Sequence, residues 1–202
     1  MPLVPQTMQG LIQAKGVSEL LAGTQFPGLV EAVSMATCQY ILSTATINST
    51  NMAMGPGMGT QTGYIQGLIP TAMSGLMLVK AASMGISGQN TLNLFDAVSF
   101  GVCNAMNSVV LQGTIIGAGP GTGQGKVVGL VPEGLQTLIL AQTAFRLIAG
   151  KNINDLVSVM AFGICNHIMT TATVLCIDIG VAASPPVGPV MIPSAPGIGR
   201  LV

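Results

Sequence analysis

One succession of apolar and polar stretches recurs along this chain. Pro5, Pro70 and Pro132 each open an apolar stretch that reaches a glycine at the same interval: Gly23, Gly88 and Gly150. A second constant interval leads from each glycine to a cysteine, Cys38, Cys103 or Cys165, in the related settings LVEAVSMATCQ, LFDAVSFGVCN and LVSVMAFGICN. The prolines are nearly evenly spaced, and MIPSAPGIGRLV places Pro193 where a fourth would fall. Spacing therefore predicts a single repeat domain over 1–202. Its repeats run over 3–67, 68–129 and 130–192, and 193–202 is a truncated fourth start or extended tail.

Each repeat reads the same way. A proline in the first helical turn loses little, because its missing N–H has no partner there and its φ is pre-set. The stretch after it has helical composition and ends in glycine, a natural residue for the left-handed position beyond a helix. The cysteine-bearing stretch is long enough for a second helix of about 20 residues, roughly 30 Å. Its tail turns β-branched in STATINST, SVVLQGTII and TTATVLCIDI, where a strand could begin. GPG elements follow at Gly55-Pro56-Gly57 and Gly119-Pro120-Gly121, with SPPVGP in the third copy. The expected fold is mainly α: three tandem helix-pair repeats joined by Gly/Pro-rich extended connectors containing short strand-like segments.

Composition then limits what such a chain can be. Only 6% of its 202 residues are charged, six basic against six acidic, while 50% are hydrophobic and Trp is absent. A soluble domain carries roughly 25% charged residues. A surface this poor in charge is expected to be covered by lipid or by protein. No basic face is available for a phosphate backbone, which argues against nucleic acid. The N-terminus MPLVPQTMQG has no basic region and does not read as a secretory signal.

Candidate chemistry is sparse. GAGPGTGQGKVVG, from Gly117 to Gly129, invites a phosphate-loop reading but lacks its pattern. Pro120 stands where the first glycine belongs, and Val127 follows Lys126 where Ser or Thr must bind Mg²⁺. We read it as a linker. His167 is the sole histidine, and its counterparts are Tyr40 and Ala105, which suits packing or partial exposure better than catalysis. Cys38, Cys103, Cys165 and Cys176 show no C-x-x-C spacing and are expected as buried free thiols. Lys15 and Lys80 match Gln142, and Glu31 and Asp96 match Ser158. An ion pair between the helices of a unit and solvated charges at an interface rim both fit this pattern. Gln39, Asn104 and Asn166 share one position, and a ring of amides across repeats or subunits is one way to satisfy them if buried. Small residues on the second stretch, such as Ala36, Gly101 and Gly163, permit close helix approach. No residue is assigned a catalytic, cofactor-binding or metal-binding role, and no small-molecule substrate is implied.

Two functional classes remain. Charge is absent from Ala32 to Val79, Ala97 to Gly125 and Leu156 to Ile177, but polar residues interrupt these stretches, whereas a spanning helix needs about 20 predominantly apolar residues. A polytopic membrane protein (a pore, channel or membrane-active protein) is the alternative reading. The first is a subunit sealed by neighbours in a large assembly. Ala/Gly/Met-rich helix pairs joined by GPGTGQG-type connectors with hardly any charge resemble uncharacterised virion proteins of tailed bacteriophages. That resemblance implies a non-enzymatic structural part of the particle, in the tail or baseplate. It would be homo-oligomeric and bound to other virion proteins. The implied location is the virion, with the membrane as the alternative.

Overall fold

Pro5, Pro70 and Pro132 each occupy the first position of a helix in the computed structural model, which describes residues 3–54, 58–116, 122–178 and 195–201. These helices are α1 (Pro5–Ser18), α3 (Pro70–Ser83) and α5 (Pro132–Phe145), and the cysteine-bearing helices are α2 (Phe26–Thr44), α4 (Thr91–Ser108) and α6 (Ile153–Thr171). Each helix packs on two others, in the closed order α1, α2, α3, α4, α5, α6 and back to α1. The helices thus form a ring.

The mainly α expectation is overturned. After each cysteine helix the chain turns into strands: β1 (Thr46–Met54) and β2 (Met58–Gln66), β3 (Val110–Ile116) and β4 (Thr122–Val128), β5 (Thr173–Asp178) and β6 (Ala195–Leu201). All neighbours are antiparallel, and β6 pairs back onto β1 to close a six-stranded barrel. What recurs is helix–helix–strand–strand, not a helix pair with connectors. The segment expected as a truncated fourth start contains β6, the closing strand, with Thr46 opposite Arg200. The β-branched tails do begin strands, at Thr46, Val110 and Thr173.

The ring and barrel are stacked through very short links. Ala45, Val109 and Ala172, all buried, are the sole residues between α2 and β1, α4 and β3, and α6 and β5. Return links run through Gly67 and Gly129, whose φ values of 86° and 88° fall where a side chain is disfavoured. Just below the helices, each strand sends one apolar side chain inward. Ile47 faces Ile65, Leu111 faces Val127, and Val174 faces Leu201, all buried. The next inward positions pair Ser49 with Gly63, Gly113 with Gly125, and Cys176 with Gly199. Large then small residues let a narrow barrel fill its own interior.

Between units, a first helix lies on the preceding second helix through small residues. A Cβ on Gly163 of α6 would strike Ile12 of α1, and one on Gly101 of α4 would strike Ile139 of α5. Gly23, Gly88 and Gly150, expected as helix-ending residues, lie beyond the true ends. Their carbonyls instead accept the N–H groups of Phe26, Thr91 and Ile153.

Candidate functional site

Each unit turns from its first to its second helix through the same corner. Leu20, Gly85 and Leu147 take φ values of 57°, 69° and 55°. The following residue closes the helix by a 2.9 Å hydrogen bond: Leu21 N–H to the Gly16 carbonyl, Ile86 to Ala81, and Ile148 to Thr143. Left-handed backbone is routine for Gly85 but strained for a leucine. The leucines are nevertheless kept at two corners, and each is 88% exposed.

Leu21, Ile86 and Ile148 then drop toward the axis around which the three units are arranged. Together with Phe26, Leu29, Leu94 and Leu156 they line an open funnel of about 440 Å³ at the ring's end away from the barrel. Gln25, Asn90 and Asn152, the residues preceding α2, α4 and α6, stand at its mouth and make no side-chain cap. No Asp, Glu, Lys, Arg, His or Cys lines it. The funnel therefore offers apolar surface, three amides and the Thr91 hydroxyl, and no titratable side chain. Val17 and Phe145, on the last turns of α1 and α5 beside these corners, are exposed as well. Sequence reasoning missed this site, although its signal was present: Gly85 occupies the position of Leu20 and Leu147 and marks it as left-handed.

The residues singled out in the sequence fall elsewhere. The second half of the glycine-rich stretch is β4, where Lys126 is exposed on the outer face, so the linker reading gives way to a barrel strand; 117–121 lie outside the described residues. His167 is fully buried, and its Nε2 accepts the Val4 N–H at 3.1 Å while Nδ1 has no partner. Burial lowers its pKa from the usual 6.5. Its counterpart Tyr40 does the same service, its hydroxyl oxygen accepting the Ile69 N–H at 2.9 Å.

Cys38, Cys103 and Cys165 sit at matching places on α2, α4 and α6, buried and unpaired, and burial pushes each thiol up to about 12. The shared amide position faces outward. Asn104 and Asn166 each donate to the carbonyl four residues back on their own helix, so no buried amide ring forms. Lys15 pairs with Glu19 at 2.6 Å along α1 rather than with Glu31. Asp96 accepts from Ser74 and, at 2.9 Å, from Arg146 of the next unit rather than Lys80.

Inside the barrel, Ser49, Gln61 and Cys176 form a buried polar group. Burial raises the Cys176 thiol, opposed by Ser49 and Gln61, while Ser49 Oγ and both Gln61 amide atoms complete no hydrogen bond of good geometry. A buried, protonated thiol is inert. Among the described residues no cluster of His, Cys, Asp and Glu could hold a metal ion. Comparison with known protein families, curated proteins and solved structures found no match.

Proposed function

We propose that this chain is a non-enzymatic structural subunit of a virion, in the tail or baseplate, homo-oligomeric and covered by neighbouring virion proteins. The carrying observation is the open end of the helix ring, where an apolar funnel is bordered by exposed Leu20 and Leu147 held in a costly backbone conformation. Leucines that gain nothing inside the chain, at positions where Gly85 suffices, are explained by contact with another protein. The funnel has binding surface without a titratable side chain, which fits assembly better than catalysis.

Membrane residence fits less well. Thr46, Thr50, Thr62, Gln112, Thr114 and Gln124 are exposed on the barrel, where a lipid-facing barrel carries an apolar band. No helix among the described residues is long and apolar enough to cross a membrane.

The reading is tested in two steps. Quantitative mass spectrometry of purified particles is expected to find the chain at a fixed copy number, and its absence would refute the virion assignment. Light scattering of the chain expressed alone, without detergent, is expected to show oligomers that Leu20→Gly with Leu147→Gly weakens while the fold persists. A stable monomer at high concentration would overturn the assembly role. Monodispersity only in detergent would favour the membrane.

A further inference from the structure

The three joints between units are built alike, α3 on α2, α5 on α4 and α1 on α6. At two of them the chain runs through, from β2 into α3 by way of Gly67 and from β4 into α5 by way of Gly129. At the third, α1 stands first in chain order and β6 last, so no direct peptide link crosses from the third unit to the first. That joint is held by β1–β6 pairing and by α1 packed on α6, with Ile12 seated over Gly163, Lys15 over the Phe162 ring, and the Val4 N–H donating to His167 Nε2. The joint between the first two units has the same bond with Tyr40 as acceptor. Tyrosine keeps its charge state around neutrality, whereas histidine does not.

We propose that His167 makes the joint between the first and third units a pH-sensitive latch. Protonation of Nε2 releases the Val4 amide, and the N-terminal segment with α1 parts from α6 while the other two joints stay closed. As an acceptor, Nε2 requires the neutral ring with its proton on Nδ1, which is buried without a partner. An imidazolium would present donor to donor at Val4 and bury an uncompensated charge. The charged side chains on elements packed against α6 are Lys15 of α1, Glu133 of α5 and Lys126 of β4, with Asp155 on α6 itself. Burial is what lowers the His167 pKa.

The displacement sets the direction. The open form, with an ordinary histidine near 6.5, binds a proton more readily than the closed form. The closed joint therefore has its full stability above that pH. Each unit of acidification below it favours opening about tenfold, until the closed form itself protonates.

Hydrogen exchange, corrected for intrinsic rates, tests this on the full chain at about pH 7.5 and about pH 5. The Val4 amide and the first turn of α1 are expected to lose about tenfold or more of their protection in acid, while the Ile69 amide and α3 keep theirs. His167→Tyr, which imports the Tyr40 arrangement, and His167→Gln, whose side-chain oxygen accepts without titrating, are expected to abolish the response. Equal loss at all three joints, no loss down to about pH 5, or an unchanged response in either folded variant would overturn the latch. If neither variant folds, the comparison between joints in the natural chain decides.

Discussion

At the scale of single residues, the same substitution has opposite expected signs at different glycines. Gly163→Ala places a methyl against Ile12, whose backbone nitrogen would lie 3.0 Å from it, and α1 must shift to make room. The expected loss is about 1–3 kcal/mol. Gly10, inside α1, has open space around its missing Cβ, and Gly10→Ala is expected to gain about 0.5–1 kcal/mol by limiting the unfolded chain. Urea unfolding of the two variants checks both, and two shifts of the same sign would contradict the packing described. The cysteines give a second test. With the three helix thiols at about 12 and Cys176 buried and raised, alkylation at mildly alkaline pH should leave the folded chain unlabelled, and four labels should appear on denaturation. Intact-mass measurement reads the outcome, and rapid labelling of the native chain would mean the helices open. The cysteine register was legible from spacing alone. The roles of Tyr40 and His167 were not, because their partners, Ile69 and Val4, lie 29 and 163 residues away.

At the scale of elements, the helices and the β-branched strand starts were readable, and the glycine-rich strands only as short extended segments within connectors. Prolines at helix starts and the apolar stretches behind them are local signals. Strands such as β4, TGQGKVV, run against local propensity, because glycine is depleted in strands and reads as a linker. Their alternation is nonetheless strict: Gly123, Gly125 and Val127 point inward and Gln124 and Lys126 outward. Glycine is required inside because the barrel is narrow. A Cβ on Gly125 would sit 2.7 Å from the Gln112 carbonyl oxygen on β3. Gly125→Val is therefore expected to collapse the barrel, seen as loss of the cooperative unfolding transition, whereas Lys126→Ala should leave the unfolding midpoint unchanged. A Gly125→Val chain as stable as the natural one would mean that the β3–β4 register is wrong.

At the scale of the whole molecule, three like units close on themselves twice, once as a helix ring and once as a barrel. Closure makes the order of units around the axis cyclic even though the chain is linear. A permuted chain, joined by a short linker from residue 202 to residue 3 and opened between Gly129 and Leu130, is expected to fold with a similar circular dichroism spectrum and urea midpoint. Failure of the permutant, with a control opened between Gly67 and Leu68 also failing, would show that the unit order cannot be rotated. The termini would then have a role beyond closure.

The sequence by itself determined the recurrence of proline-led helices, the cysteine register and the shortage of charge, since each is read from residues near one another in the chain or from composition. Only the tertiary structure decided that 58–66 and 122–128 are barrel strands and that 195–201 is the closing strand. It also placed Leu20 and Leu147 at the corners beside an open apolar funnel. A strand is specified by its partner across the sheet, and these partners can stand near opposite ends of the chain, as Thr46 and Arg200 do. A glycine that reads locally as freedom becomes, in a closed barrel, the one residue small enough to fit.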